Sequence, residues 1–344
     1  MIPHGMRRPL ALASPRTLLC ATGLLAGFAV LTLAACGDRG GPFVLKVAHN
    51  GSPEHPYQVG FERFKEIIER DTGGAVEVQI FENGQIGTEE EASIMVKLGA
   101  LAASAASAGG GLGSFVPEAE VFNLPFVFRD MSHFYRVLDG APAQRVAEAV
   151  DERLDAMVLG WWFSGVRNTW NGERPVRTPE DLAGLKIRVM ASPVLVEAFQ
   201  ALGAQATPMS FGELYSALEQ GVVDGAETDH VDLLYERFYE VTHYVSLTEH
   251  MYLAAALVFS RQVFDRLPAD VQAIVLRAGR ESTIAQRQAM ETATREALTE
   301  LRAMGVLEFL SVDRSLFQAR VRAVYEANAE RVGGMELIDE IAAY

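Results

Sequence analysis

The amino-acid sequence predicts an α/β protein with two lobes, from its length, the order of its elements and an internal similarity. With 344 residues, the chain is too long for one ordinary domain and suits two, each able to bury its own core. Short apolar strands alternate with amphipathic helices along most of it. Lys97–Ala102 and Glu219–Asp224 each have the pattern of a helix end, a glycine and an emerging strand, which suggests two lobes of similar build.

The elements of the first half follow from periodicity and capping. Val44–Ala48 and the alternating run Val76–Ile80 predict strands, and helical spacing of apolar residues predicts a helix between them that closes at Gly73. Thr88 and Glu91 form a capping box, which opens a helix that ends near Gly99. A further strand is predicted over Leu101–Ser107.

The second half repeats this pattern. Strands are predicted over Met157–Phe163, Leu185–Val189 and from Val222 onward, and helices are predicted over Val194–Leu202 and after a capping box of Ser210 with Glu213. An almost unbroken helical pattern then runs from Pro268 to Met304, with Gly305 as its stop. At 1.5 Å per residue it would reach roughly 54 Å, long enough to run along both lobes. The alternative is two helices broken at Gly279.

Charge excludes two classes of partner. The chain has 30 Lys and Arg against 45 Asp and Glu, a net charge of −15. Nucleic acids and anionic membranes require basic surface, so neither is an expected partner. A small anionic ligand remains possible, because a few local arginines can outweigh the net charge.

Residues 1–36 predict an export signal rather than part of the fold. Three arginines precede an uncharged apolar stretch at 17–35, namely Arg7, Arg8 and Arg16. Leu33-Ala34-Ala35-Cys36 resembles the bacterial lipobox, which predicts lipidation of Cys36 and a membrane tether; the alternatives are an ordinary signal peptide and an uncleaved anchor. Cys20 and Cys36 both lie here, so the rest of the chain has no disulfide, cysteine nucleophile or cysteine–zinc site.

Motifs for catalysis, metals or cofactors are absent from the sequence. Gly109–Gly113 lacks the spacing of a nucleotide-binding loop and is interpreted as a flexible surface crossing. No G-x-S-x-G elbow occurs. His230, His243 and His250 are spaced so that no two share a helical turn, which argues against a metal site. We expect neither an enzyme nor a cofactor.

Two arginines indicate an anion-binding site. Alternation in Lys186–Met190 places Arg188 opposite Ile187 and Val189, so in a covered sheet its guanidinium is buried or faces a cleft. Arg167 repeats the pattern after the Met157–Phe163 strand, with Trp170 near enough to form a wall. Each arginine could instead pair with a carboxylate of the protein itself, and the sequence leaves that alternative open.

Sequence blocks in a fixed order and spacing resemble a known family, the extracytoplasmic solute-binding proteins of TRAP (tripartite ATP-independent periplasmic) transporters. The blocks are Gly84–Gly87, Asn123–Phe128, Arg174–Leu182, Gly184–Val189, Leu202–Ala204, Thr207–Met209, Glu213–Leu218 and Gly221–Glu227. The resemblance covers nearly the whole chain after the leader.

The resemblance implies a periplasmic-binding-protein-like fold with hinge strands and a long helix spanning both lobes. Lobe I would comprise 43–165 plus 254–295, and lobe II 166–253 plus 296–344. The resemblance implies that Arg188 binds the ligand carboxylate and that Arg167 assists in binding it. Thr228 stands where the family often has Asn, and Thr228 and Asp229 are further candidate ligand contacts.

The predicted function is capture of a small organic acid in the periplasm for delivery to TRAP membrane subunits. The acid would be a sugar acid, such as a uronate or aldonate, or a C4-dicarboxylate. The hydroxyls of the ligand would contact polar groups of lobe I, namely Asn50, His55, Glu91 and Ser107. The alternatives are a zwitterionic compatible solute or amino acid in an aromatic cage of Trp170 and Phe211, an exported enzyme, or a ligand sensor for a partner protein.

Overall fold

A single mixed sheet of nine strands with helices on its faces organises the protein. The computed structural model describes residues 42–344; the predicted export signal and Cys36 lie outside the described residues. The α/β prediction is confirmed. Eight strands follow the order β2-β1-β3-β8-β4-β7-β5-β6, and β9 pairs with β8. The strands are β1 (Phe43–Ala48), β2 (Val76–Phe81), β3 (Ala103–Ser107), β4 (Ala156–Asn171), β5 (Lys186–Val189), β6 (Gln205–Pro208), β7 (Gly225–Thr228), β8 (Tyr244–Ser260) and β9 (Glu308–Ser311).

Eleven α-helices connect these strands within the described part of the chain. They are α1 (Pro56–Asp71), α2 (Glu89–Lys97), α3 (Met131–Leu138), α4 (Ala141–Leu154), α5 (Pro193–Ala201), α6 (Leu214–Glu219), α7 (His230–Tyr235), α8 (Arg261–Asp265), α9 (Ala269–Met304), α10 (Arg314–Asn328) and α11 (Met335–Ala343). In residues 42–344, none of the helices combines the length and the apolar character that crossing a bilayer requires.

Two groups of parallel strands are joined by the long antiparallel pair β4 and β8. The first group places β1 between β2 and β3, and the second places β5 between β6 and β7. The carboxyl-terminal half of β8 pairs with β3, whereas the carboxyl-terminal half of β4 pairs with β7. β4 and β8, of 16 and 17 residues, pair with each other along most of their length and so connect the two groups.

The long helix α9 is continuous over 36 residues and ends where Gly305 adopts a left-handed conformation (φ 66°), as predicted. It does not break at Gly279. That glycine is buried where α9 meets β4, and a Cβ there would lie 2.6 Å from Cβ of Leu159. The helix packs on α1 of the first strand group and on α7, which follows the second. It therefore reaches both groups.

The structure corrects three local predictions. The strand predicted over Met157–Phe163 continues to Asn171, so Arg167 lies within β4 rather than after it. The strand predicted from Val222 begins at Gly225, since the preceding residues close the turn after α6. Ser210 does not cap a helix through the backbone, because its hydroxyl donates to Oε2 of Glu213 at 2.7 Å.

The glycine run Gly109–Gly113 is also different from the prediction. It is largely buried and forms a single π-helical turn (Ala108–Leu112) directly after β3, rather than a flexible surface crossing. A Cβ on Gly109 would lie 2.9 Å from Nδ2 of Asn123 and 3.3 Å from Cβ of Ser192. Because it lacks bulky side chains, the glycine run can therefore lie close to the segments that contain Asn123 and Ser192.

Candidate functional site

A cavity of about 830 Å³ lies where the two strand groups meet. The first group contributes the loop after β1, the start of α2 and the end of β3; the second contributes the end of β5 and the segment 208–215. The lining includes seven residues predicted from the sequence, namely Asn50, His55, Glu91, Ser107, Arg167, Arg188 and Phe211.

Arg188 is a buried cation without a carboxylate partner among residues 42–344. Its side chain is 2% exposed, and Nε and Nη2 both donate to the carbonyl of Met209, at 3.0 and 2.8 Å. Nη1 is buried and makes no hydrogen bond within the described chain. Burial lowers the pKa of Arg188 to about 10, although the charge of Glu227 opposes this. The prediction that alternation buries this arginine is confirmed.

Arg167 has the internal partner that the sequence left open. Its Nε and Nη2 contact the two oxygens of Glu227 at 2.7 and 2.9 Å, in a bidentate pair. Burial opposes ionisation of both groups, but their mutual attraction raises the pKa of Arg167 and lowers that of Glu227 to about 2. Nη1 lies 3.8 Å from Oδ2 of Asp232. Most of the hydrogen-bond donors of the Arg167 guanidinium are therefore already used within the protein.

A bulge in β4 brings this arginine to the cavity. The register between β4 and β8 shifts between Phe163 and Val166, and Gly165 takes φ 90° there. A Cβ at Gly165 would lie 2.4 Å from Cβ of Asp229, so only glycine fits. The neighbouring Ser164 accepts a hydrogen bond from the Tyr57 hydroxyl at 2.8 Å.

Three predicted polar residues of the first strand group line the cavity, and each of them already makes a hydrogen bond within the protein. His55 caps α1 by accepting from the backbone of Tyr57 at 3.1 Å, and burial lowers its pKa to about 3, so it is neutral. Oε2 of Glu91 accepts from the backbone of Thr88 at 2.8 Å and completes the predicted capping box. Ser107 donates to Oε2 of a neighbouring acid, Glu89, at 2.5 Å.

Three predicted contacts, Trp170, Thr228 and Asp229, do not line the cavity. All three are at most 1% exposed. Trp170 stacks on Phe238 with ring centroids 5.4 Å apart and donates to Oγ1 of Thr228 at 3.3 Å. Asp229 caps α7 by accepting from the backbone of Val231 at 2.7 Å.

The aromatic cage of Trp170 and Phe211 is therefore not formed. Phe211 does line the cavity, but the guanidinium carbon of Arg188 already lies 5.9 Å from its ring centroid.

The two arginines, Arg167 and Arg188, lie farther apart in the sheet than adjacent strands would place them. β7 separates β4 from β5, with Arg188 opposite Ala226 and Asn168 opposite Thr228.

Several lining residues were missed from the sequence. The most informative are Tyr57, Glu89, Asp232 and Glu236. The run Glu89–Glu91 had an ordinary explanation as an acidic first turn, which hid the fact that Glu89 faces inward. Asp232 carries one weak signal, since it stands three residues after the capping Asp229. In the described range 42–344, no group of three or more His, Cys, Asp or Glu residues could hold a metal ion.

Comparison with known proteins agrees with this geometry. The sequence matches the family described as bacterial extracellular solute-binding protein, family 7, over residues 47–331. The C4-dicarboxylate-binding periplasmic protein DctP of Rhodobacter capsulatus is 31% identical over 317 residues, which are 90% of this chain and 94% of that protein.

Solved structures show the same fold. A TRAP periplasmic solute-binding protein from Sulfitobacter sp. NAS-14.1 with bound β-D-galacturonate superposes with a TM-score of 0.84 at 31% identity, covering 88% of this chain and 100% of that one. A TRAP periplasmic solute-binding protein from Sulfurospirillum deleyianum with bound succinate gives a TM-score of 0.84 at 32% identity, covering 88% and 99%. The resemblance to TRAP transport proteins is thus confirmed: the chain belongs to family 7 of the bacterial extracellular solute-binding proteins, which are periplasmic binding proteins for transport and not enzymes.

Proposed function

We propose that the cavity captures a small organic acid, a sugar acid or a C4-dicarboxylate, by binding its carboxylate to Arg188. The loaded protein then delivers the acid to the membrane subunits of a TRAP transporter. One observation carries the proposal: Arg188 lines the cavity, is 2% exposed and has no carboxylate within salt-bridge distance among the described residues. A buried unpaired charge is costly, and a ligand carboxylate supplies the missing partner.

Arg167 takes a supporting part in this proposal. Because Glu227 occupies two of its nitrogens, Arg167 can offer the ligand little more than Nη1. Its positive charge is largely balanced by Glu227, so the anchoring charge comes from Arg188. Ligand hydroxyls would contact Asn50, His55 and Ser107 from the first strand group.

Capture would involve closure of two lobes. We infer that 43–165 with 254–295 moves against 166–253 with 296–344. The bulge of β4 between Phe163 and Val166 supports this division, because it interrupts the ladder at the proposed boundary. Contacts cross the proposed division at more than one place: the backbone of Ser52 donates to Oε1 of Glu236 at 3.1 Å, and Nε2 of His133 lies 2.8 Å from the carbonyl oxygen of Ile341. The carboxyl-terminal helix α11 also packs on α4, so it contacts the range assigned to lobe I.

Small-angle scattering should show a smaller radius of gyration with ligand, and an unchanged radius would contradict closure.

Calorimetry on Arg188 variants tests the anchor. A thermal-shift screen of uronates, aldonates and C4-dicarboxylates first identifies a ligand, since binding to the native state raises the melting temperature. Arg188→Ala should then weaken binding by about 3–5 kcal/mol, roughly two to four orders of magnitude in Kd. Arg188→Lys should also bind poorly, because an ammonium cannot form the bidentate fork.

Arg177→Ala is the matched control, since the Arg177 side chain is 59% exposed and lies outside the cavity lining. It should bind like the wild type. Near-normal affinity of Arg188→Ala, in a protein that melts normally, would show that Arg188 is not the anchor.

We also propose that Cys36 is lipidated and tethers the protein to a membrane. The lipobox Leu33–Cys36 after an apolar stretch supports this. Expressed in a bacterial host, the wild type should fractionate with membranes, and Cys36→Ala should not yield a lipidated amino terminus in mass spectrometry. Soluble wild-type protein with an unmodified amino terminus would instead indicate ordinary signal cleavage.

A further inference from the structure

Two buried aspartates, Asp229 and Asp232, lie three residues apart at the start of α7, beside the cavity. Asp229 is 1% exposed and Asp232 is 7% exposed, and Asp232 lines the cavity. Oδ1 of Asp229 caps α7, because it accepts from the backbones of Val231 and Asp232 at 2.7 and 3.1 Å. Oδ2 of Asp229 is buried and has no hydrogen-bond partner among residues 42–344. The cap therefore satisfies only one of the two oxygens of this carboxyl group.

The pair lacks a cation of its own. Within 4 Å of either carboxyl group, the described chain provides one guanidinium, since Nη1 of Arg167 lies 3.8 Å from Oδ2 of Asp232. Glu227 already neutralises Arg167 through the bidentate pair, and His55, 3.8 Å from Oδ1 of Asp232, is neutral. If both aspartates were ionised, this buried group would contain one positive and three negative charges. Buried like charges this close do not all ionise, so the charge balance predicts one proton on the pair.

The other titratable groups that face the pair do not supply the missing positive charge. Helix α1 presents the neutral hydroxyl of Tyr57, and α7 itself adds a further acid, Glu236. Strand β5 presents Arg188, the cation that we assign to the ligand. Helix α9 also packs on α7, but its charged groups act on Tyr235 and His230 rather than on the pair.

Hydrogen bonding assigns the proton to Asp232. Two backbone N–H groups stabilise the ionised form of Asp229 at the helix start. The contacts of Asp232 with His55 and Arg167 are too long for hydrogen bonds, so its ionised form lacks this stabilisation within the described chain. Burial and the charge of Asp229 accordingly raise the pKa of Asp232 well above its ordinary value.

We infer that Asp232 faces the ligand as a neutral carboxylic acid, holding one proton for the pair with Asp229, and that binding of an anionic ligand is linked to this proton. The neutral form supplies a hydrogen-bond donor to the cavity, whereas the ionised form would repel an anion at short range. The inference rests on the proposed function, because it takes an anion as the ligand. Asp232 then determines the pH range over which the protein captures its ligand.

Infrared spectroscopy tests the proton without any ligand. Protein labelled with carbon-13 at the aspartate side-chain carboxyl should show the carbonyl band of a protonated aspartate at about pH 7, where ordinary aspartates are ionised. The label separates this band from that of a protonated glutamate such as Glu120. Asp232→Asn should abolish the band. Absence of the band in the wild type, or its persistence in Asp232→Asn, would overturn the inference.

A second variant tests the pairing. Asp229→Asn removes the neighbouring charge while Asn can still cap α7. The band of Asp232 should then disappear at a lower pH than in the wild type, because ionisation of Asp232 no longer places two charges together. An unchanged titration of the band would show that the two residues do not share a proton.

Calorimetry across pH tests the link to binding. The probe is D-glucuronate, D-erythronate or succinate, whichever raises the melting temperature most. Wild-type affinity should fall as the pH rises from about 6 to about 9, because the proton is lost from the unliganded protein. Asp232→Asn stays neutral and should bind about tenfold more tightly than the wild type at the alkaline end. Arg188 keeps its charge over this range, since its pKa is about 10.

Glu219→Gln is the matched control for this titration, because Glu219 is exposed at the end of α6 and lies outside the cavity lining. It should follow the wild-type pH curve. If Asp232→Asn melts normally but binds more weakly than the wild type at every pH, the ligand requires an ionised aspartate. If the ratio of the two affinities is constant across pH, the proton does not act on binding. Either result would overturn the inference.

The anchor and the proton fail in different experiments. If Arg188→Ala retains affinity while the infrared band and its loss in Asp232→Asn are observed, the anchor is wrong and the protonated pair stands. If Arg188→Ala loses binding but the wild type shows no protonated aspartate, the anchor stands and the inference about Asp232 is wrong.

Discussion

Glu120 is a buried carboxyl group, and its ionisation should make the stability of this protein depend on pH. It lies in a 3₁₀ turn (Pro117–Asn123) and is 0% exposed. Its Oε2 accepts from the Ser192 hydroxyl and from Nδ2 of Asn123, while Oε1 is buried without a partner among residues 42–344. Burial raises its pKa from 4.5 to about 7, although those hydrogen bonds and the charge of Arg331 oppose the shift.

The raised pKa has a definite sign for stability. Between pH 4.5 and 7 the folded state holds a proton on Glu120 that the unfolded state has lost, so stability falls as pH rises through this range. At about 1.4 kcal/mol per pKa unit, the loss between pH 5 and pH 8 is about 2 to 3 kcal/mol. Above pH 7 the folded protein contains a buried carboxylate with only partial compensation.

The perturbation is Glu120→Gln, which keeps the shape and removes the titration. Urea unfolding should show that the variant gains about 2 to 3 kcal/mol over the wild type on going from pH 5 to pH 8. Glu148→Gln is the control, because Glu148 is exposed on α4. A difference between Glu120→Gln and wild type that stays constant across this pH range would refute the reasoning.

Three further changes test the packing around the site. Glu227→Gln should cost about 3–5 kcal/mol of unfolding free energy, because it leaves Arg167 buried without its counter-charge; a loss below about 1 kcal/mol in urea unfolding would contradict this. Gly279→Val should cost about 1–3 kcal/mol, since its Cβ would lie 2.6 Å from Cβ of Leu159, and a melting temperature equal to wild type would show that α9 can shift. Trp170→Phe should lower the free energy of unfolding by about 0.5–1.5 kcal/mol, because the hydrogen bond to Thr228 is lost. Calorimetry should show ligand affinity within about twofold of wild type. A tenfold weaker affinity would indicate that Trp170 contacts the ligand after all.

The features predicted best are those determined by neighbouring residues. The capping box of Thr88 and Glu91 forms with hydrogen bonds of 3.2 and 2.8 Å, because both partners lie within one helical turn. The ends of α9 follow from Pro268 and Gly305 for the same reason. The burial of Arg188 was predictable because its strand, β5, lies inside the sheet between β6 and β7.

The features missed depend on contacts between distant segments. Arg167 and Glu227 are 60 residues apart, and their pairing requires the register that sets Thr169 opposite Glu227 in β4 and β7. No local pattern identifies Arg167 as the partner of Glu227. The inward position of Glu89 likewise depends on Ser107, 18 residues away at the end of β3. Sequence patterns identified the candidates for burial but not their partners.

Burial of individual charges, rather than net charge, therefore determines what this protein can bind. A net charge of −15 opposes the approach of an anion only weakly, since salt screens exposed charges beyond about 8–10 Å. Inside the cavity the effective dielectric constant is lower, and a single charge has a larger effect there than many on the surface. We therefore expect the unpaired Arg188 to bind a carboxylate even in an acidic protein. The excess of surface acid contributes to solubility and leaves this choice unchanged.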